Sequence, residues 1–393
     1  MLKSSVENLL IAAWKKLKLP AVAMEVHPSE RPEFGDFSTN LALVGARVAG
    51  LPPRELAERL VEKLPEDAFS KLEIAGPGFV NLFLHPSTIQ AALQEILKMG
   101  ERFGCSKRRV PTSMQIEFVS SNPTGPLTVG HGRQAVLGDV LASLYEALGY
   151  TVHREYYFND EGRQIELLTD STAERIRQIE FGNEPQIPED GYHGEYLKEV
   201  ASGTIAANAQ IASAIERLQR ENPDGISRAD LYEQIDRADL RDEATDQIIQ
   251  TIKEDLAKLG VEFDEWFSEA ALHQKGEVTA ALKQLEAKNG TYERDGAVWL
   301  KAEENGGVKD SVLIRKDGRP TYLMVDIAYH VNKHERGFVR VIDVQGADHQ
   351  AEQSCVKAAM RILDYPEDFL DYAVHQFVSI KEGGQIARMS TRA

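Results

Sequence analysis

The residues best suited to chemistry lie in one run, Ser121-Asn122-Pro123-Thr124-Gly125-Pro126-Leu127-Thr128-Val129-Gly130-His131-Gly132-Arg133. Its two prolines restrict the loop, while Gly125 and Gly130 permit positive φ and close approach of the backbone. His131 falls at the opening of the predicted helix that follows, where free backbone N–H groups and the helix dipole favour a polyphosphate. An imidazole there can donate a hydrogen bond to charge that develops on phosphate during displacement. Thr128 adds one hydroxyl donor but no positive charge. By residue type alone, the run is also a tight turn whose histidine caps a helix.

A further stretch suits a nucleotide. In Gln345-Gly346-Ala347-Asp348-His349-Gln350, a glycine lets adenosine approach the backbone and a carboxylate can accept from ribose hydroxyls. A structural turn explains the same residues. At the end of the chain, Arg388-Met389-Ser390-Thr391-Arg392 carries two guanidinium groups, which by residue type alone read as a disordered terminal tail.

The histidine loop resembles the first signature of class I aminoacyl-tRNA synthetases, usually His-Ile-Gly-His, with Thr128-Val129-Gly130-His131 in its place. The preceding Glu117-Phe118-Val119-Ser120-Ser121-Asn122-Pro123-Thr124-Gly125-Pro126 narrows the likeness to bacterial-type arginyl-tRNA synthetases. Tyr157-Phe158-Asn159-Asp160-Glu161-Gly162-Arg163-Gln164-Ile165 matches the continuation of that family after its second strand. Phe34-Gly35-Asp36-Phe37-Ser38-Thr39-Asn40 and Gly76-Pro77-Gly78-Phe79-Val80-Asn81 are similar to its additional N-terminal domain, which the resemblance implies contacts the tRNA elbow. The terminal run looks like the second signature, Lys-Met-Ser-Lys-Ser, with Arg388 and Thr391 replacing the lysines. A helical anticodon-binding domain follows that signature in the family, so a truncated chain with impaired tRNA charging is expected.

The resemblance implies an arginine–tRNA ligase that activates L-arginine with Mg2+-bound ATP and passes the arginyl group to the 3′ end of tRNA(Arg). His131, Thr128, Arg388 and Arg392 are the implied catalytic residues, and Gly130, His131, Gly346, Asp348, Met389 and Ser390 the implied ATP contacts. Glu117, Asn122, Tyr322 and Asp326 are implied to hold arginine, with Asn122 on its polar backbone end. A guanidinium presents five donors in a plane, so its pocket requires carboxylates that accept in a fork. Asp326 follows Tyr322 by four residues, which puts phenol and carboxylate on one face of a helix. Taken alone, Glu117 is as well explained by a structural arginine, and the Tyr322–Asp326 pair by a surface face. Magnesium is expected to travel with ATP; no protein-bound metal is expected.

These residues need elements to position them. Residues 114–119 read as a short apolar strand, the glycine loop as its exit, and the next segment as a helix with Val136, Val140, Leu144 and Leu148 on one face. A strand at 151–158 completes a right-handed βαβ unit. Residues of about 161–288 read as a polar helical insertion, and strands return near 297–301, 312–315 and 339–344. The expected fold is therefore α/β, a Rossmann-like catalytic domain over 106–393 split by that insertion. A small α+β domain over 1–105 precedes it, opening with a helix in which Ser4 and Glu7 fit a capping box.

Composition sets outer limits. Hydrophobic residues at 42% and charged residues at 27% are ordinary for a globular chain with sizeable cores. No apolar run approaches the ~20 residues of a membrane span, and the N-terminus lacks a signal-peptide core. Two cysteines, Cys105 and Cys355, rule out a disulfide framework and fit a reducing cytoplasm. The net charge of −17 disfavours general attraction for RNA, although clusters such as Lys15, Lys16 and Lys18, or Lys107, Arg108 and Arg109, can form a local basic face. A monomer is expected. Two other readings remain open: a small-molecule nucleotidyltransferase, which shares a similar histidine loop, and a non-catalytic module that retains tRNA or arginine affinity.

Overall fold

The computed structural model describes residues 2–106, 113–222, 225–376, 378–382 and 385–387. The chain divides into two compact units, Met1–Cys105 and Ser106–Ala393.

The first unit contains α1 (Leu2–Lys16), β1 (Val26–Pro28), β2 (Phe37–Thr39), α2 (Leu41–Ala49), α3 (Pro53–Val61), β3 (Phe69–Ala75), β4 (Phe79–Leu84) and α4 (Pro86–Met99). Its strands form an antiparallel sheet in the order β1-β2-β4-β3. Val6, Leu10, Ala13 and Trp14 recur at helical spacing on α1 and enter the core. Helix α1 already runs at Leu2, so Ser4 lies within it and does not cap it. Gly45 on α2 is required by packing, because a Cβ there would lie 2.1 Å from the Trp14 ring.

The second unit is built on five parallel strands. β5 (Ser113–Glu117), α5 (Val129–Ala147) and β6 (Thr151–Phe158) form the first βαβ unit. Helices α6 (Arg163–Phe181), α7 (Tyr196–Ala207), α8 (Ala209–Glu221), α9 (Arg228–Gln234) and α10 (Arg237–Lys258) follow before β7 (Glu265–Ser268). Then come α11 (Glu269–Gln274), α12 (Glu277–Ala287), β8 (Thr291–Arg294), β9 (Ala297–Leu300), β10 (Ser311–Ile314) and α13 (Tyr322–Glu335). β11 (Arg340–Gly346), α14 (Gln350–Ile362), β12 (Leu370–His375), β13 (Ile380–Glu382) and β14 (Gln385–Ala387) complete the described chain.

The main sheet has the order β12-β11-β5-β6-β7, with every pair parallel. Counted within this sheet, that is the 3-2-1-4-5 order of a doubly wound fold, and the order reverses between β5 and β11. Ligands of such sheets bind beyond the strand C-termini at this reversal. Its neighbouring strands carry Glu117 and Gly346 at their ends.

Three local expectations are corrected. The polar stretch expected as helix to about 288 holds strand β7, whose four residues are too short for a clear alternating signal. Of the three strands expected to return, β9 and β10 join β8 in a separate antiparallel sheet, and only β11 re-enters the main one. The Val136, Val140, Leu144 and Leu148 face of α5 is exposed, while Ala135, Gly138 and Ala142 are buried. Small residues bring α5 close to the sheet: a Cβ on Gly138 would lie 2.1 Å from Phe118 Cγ.

Candidate functional site

Beyond the strand ends at the reversal lies a cavity of about 370 Å³, whose lining includes Glu117, His131, Glu269, Tyr322, Asp326 and Glu352. Val344, Gln345 and Gly346 supply its β11 wall. Four carboxylates in so small a space create a strong preference for cations. Residues from β5, the histidine loop, α11, α13, β11 and α14 meet here, although up to 235 positions separate them along the chain (352 minus 117).

The exit from β5 is strained. Val119 and Ser120 both adopt positive φ, 69° and 44°, conformations that cost a β-branched residue in particular. Gly125 and Gly130, expected to supply that freedom, are absent from the positive-φ residues, because the sharp turn comes earlier in the loop. Its effect is to fold Ser120 back, so that its hydroxyl donates to Glu117 Oε1 at 2.8 Å and accepts from Tyr157 N–H at 3.2 Å. Tyr156 clamps the loop by accepting from Ser121 N–H at 3.1 Å and donating to Ser121 O at 2.9 Å. Tyr196 donates to Thr124 O at 2.7 Å.

Thr128 is the N-cap of α5 and forms a capping box with His131. The Thr128 backbone N–H donates to His131 Nδ1 at 3.1 Å, which leaves the proton of the neutral ring on Nε2. Burial lowers the pKa of His131, so the ring is a neutral N–H donor at physiological pH. The capping and cavity-lining roles of the histidine thus coexist.

Asn122 is committed elsewhere. Its amide donates to Gln164 Oε1 at 3.0 Å and accepts from Asn159 N–H at 3.3 Å, tying the loop to the end of β6. Pro123, Thr124 and Gly125 are buried; Pro126 and Val129 are exposed and Leu127 is half-buried, so the run supports the site mainly as a shaped scaffold.

On α13, Tyr322 at the first turn is 69% exposed, and Asp326 one turn later meets His330 Nδ1 at 3.2 Å. Thr321 caps this helix by accepting from Met324 N–H at 3.4 Å. Glu117, 8% exposed, is gripped by Lys333 Nζ at 2.6 Å. Burial drives its carboxyl up to about 7 against the opposing pull of that ammonium.

Residue-type reasoning missed Glu269, Glu352 and Lys333. Glu269 accepts from the Tyr157 hydroxyl and from Asn159 Nδ2, the latter at 2.8 Å. Burial, reinforced by Asp160, Glu161 and Asp326, raises it to about 7 despite the Tyr157 hydrogen bond. Glu352 is likewise raised by burial and by Asp326. A signal for Lys333 was available: Tyr322, Asp326, His330 and Lys333 recur every three or four residues along α13 and so share one face. Glu269 and Glu352 had no such signal.

Gly346 ends β11, and residues Ala347–His349 form a short 3₁₀ turn in which the Asp348 side chain lies outside the described atoms. Arg388, Met389, Ser390 and Arg392 lie outside the described residues. Among the described residues, one group has metal-ligand character, His153, Glu155 and Glu265. Arg336 already bridges both of its carboxylates, the Glu265 contact at 2.6 Å, so a guanidinium occupies the place of a cation.

A doubly wound parallel sheet, with a histidine at a helix N-terminus and a ligand cavity at the strand-order reversal, defines a Rossmann-like protein of the nucleotide-binding type. Residues 2–84 match the arginyl tRNA synthetase N terminal domain, and residues 92–393 match the class I (R) tRNA synthetase catalytic domain. The arginine–tRNA ligase of Thermotoga maritima is 42% identical over 95% of this chain and 65% of its own length. That of Thermotoga petrophila is 40% identical over 100% of this chain and 69% of its own. The Thermus thermophilus arginyl-tRNA synthetase structure superposes with a TM-score of 0.66 at 22% identity, covering 96% of this chain and 66% of that one. The chain belongs to the class I arginyl-tRNA synthetase family, and it spans about two thirds of the length of these relatives. No helix among the described residues is long and apolar enough to cross a membrane.

Proposed function

We propose that the chain carries the catalytic site of an arginine–tRNA ligase. One arginine carboxylate oxygen attacks the α-phosphorus of Mg2+-bound ATP, the bond to the bridging oxygen breaks, and pyrophosphate leaves. A ribose hydroxyl at the 3′ end of tRNA(Arg) then attacks the adenylate carbonyl. It loses its proton as the arginyl ester forms, and AMP departs. No protein side chain becomes covalently attached, so catalysis is positioning and electrostatic stabilisation.

The observation that carries this reading is the four-carboxylate cavity beside the N-terminus of α5. Glu117, Asp326 and Glu269 suit a guanidinium, with Tyr322 as a lid over it. His131 Nε2–H suits charge developing on the phosphates, aided by the free N–H groups of the helix end. Gly130 and Gly346 permit backbone approach to ATP, and Asp348 is assigned to the ribose hydroxyls. Thr128 acts through His131 by capping, and Asn122 acts by setting the loop against β6. Arg388, Met389, Ser390 and Arg392 are assigned to the pyrophosphate end. Magnesium arrives with ATP.

ATP–pyrophosphate exchange is the test, with L-arginine, L-citrulline or L-lysine as the amino acid, each with and without tRNA(Arg). Citrulline keeps the shape of arginine and loses its charge. Exchange should require arginine and increase with tRNA. Equal exchange with citrulline would overturn the carboxylate assignment.

A further inference from the structure

A buried chain of alternating charges joins Glu117 to Asp326. Lys333, with 0% exposure, donates to Glu117 Oε2 at 2.6 Å and to Asp343 Oδ1 at 2.8 Å. His330, equally buried, donates through Nε2 to the other oxygen of Asp343 at 2.8 Å. Its Nδ1 faces Asp326, 2.8 Å from the carbonyl oxygen and 3.2 Å from the carboxylate. Both ring nitrogens therefore face acceptors, which requires the doubly protonated imidazolium. Burial and Lys333 oppose that charge, but Asp343 and Asp326 prevail and raise His330 to about 9.

Stability gives little reason for this arrangement. Buried ion pairs are often replaceable by packed apolar side chains without loss. A lysine held in the interior beside a ligand-facing carboxylate therefore calls for a role in the site. The charge count supplies one. Once Glu117 is ionised, above about pH 7, three carboxylates, Glu117, Asp343 and Asp326, against two cations, Lys333 and His330, leave one negative charge.

We propose that Lys333 is a positioning and affinity-determining residue of the cavity. Its ammonium aims Glu117 and leaves the linked groups one negative charge, which a single guanidinium neutralises. The proposal rests on the reading of this cavity as the arginine site. Ser120 fixes the second oxygen of Glu117, so neither oxygen can turn away while Lys333 is in place. Among the described residues, Glu117 also interacts electrostatically with Asp343 and with the phenols of Tyr157, Tyr329 and Tyr372; burial keeps those phenols neutral.

The test is calorimetric titration of the full chain with L-arginine from about pH 6 to pH 9, in parallel with ATP. Lys333→Met removes the attraction that opposes burial of Glu117. Its affinity–pH curve should move upward by about one unit or more, giving about fivefold or more weaker arginine binding at pH 7. Asp343→Asn removes a like charge from Glu117 and should move the curve the opposite way. ATP affinity should stay the same in both. A purely structural role would weaken arginine binding equally at every pH, and that result overturns the proposal. If Lys333→Met does not fold, the near-isosteric Asp343→Asn decides alone: an unmoved curve sinks the idea. Asp326→Asn separates the two readings. If it binds arginine as the parent does, the cavity assignment itself fails and takes this inference with it. If it binds poorly while Lys333→Met is normal, only the role of Lys333 is lost.

Discussion

Thr128 and His131 cap one another: the Thr128 N–H donates to His131 Nδ1 at 3.1 Å, and Thr128 Oγ1 accepts from the His131 N–H at 3.5 Å. Through this reciprocal contact, the residue that begins α5 also sets which nitrogen of the histidine carries its proton. The ring that caps α5 is thus also one that lines the cavity.

His131→Ala should lower the rate of arginine activation by about 10²-fold or more, with a smaller effect on arginine affinity. Loss of the cap should also cost about 1 kcal/mol of stability. His131→Asn separates the effects, because its short amide can still accept from the Thr128 N–H but does not extend to the place of Nε2. Thermal unfolding should recover in the asparagine variant while pyrophosphate exchange stays slow. Recovery of both would make His131 a cap alone.

Asp326→Asn, Glu117→Gln and Glu269→Gln should each weaken arginine binding by about 2–5 kcal/mol, the usual cost of removing one partner from a desolvated charge pair. ATP binding should change little. Calorimetric titration of each ligand distinguishes this from general damage, in which both affinities would fall together.

Arginine affinity should rise with pH through about 7, because burial raises Glu117 and Glu269 to about 7 and the guanidinium requires their ionised forms. Stability has the opposite slope. Between 4.5 and about 7 the folded chain holds protons that the unfolded chain has released, so these two groups lower stability as pH increases across that window. Glu269→Gln should therefore raise the melting temperature more at pH 8 than at pH 5. An equal gain at both values would show that Glu269 is ionised throughout.

Gly138→Ala should destabilise the second unit by about 1–3 kcal/mol, since its new methyl group would meet the Phe118 ring. Denaturant unfolding measures the loss. A variant as stable as the parent would mean that α5 can shift away from β5 without cost.

Sequence by itself determined the parts of this protein that depend on local order. The histidine loop, a helix opening close to His131, and the Tyr322–Asp326 spacing are all short-range patterns whose geometry follows from helix pitch and capping. It misplaced features whose meaning depends on what lies opposite. The larger apolar side chains of α5 pointed to its buried face, yet Ala135, Gly138 and Ala142 took that place because α5 lies so close to Phe118. Tertiary structure alone decided that Glu269 and Glu352 share a cavity with Asp326. It also decided that Lys333 pairs with Glu117 across 216 residues. A carboxylate on a surface and one in a cavity have the same local sequence signature. Only chain folding removes the water from around one of them, and that desolvation gives it a raised pKa and a demand for a cation.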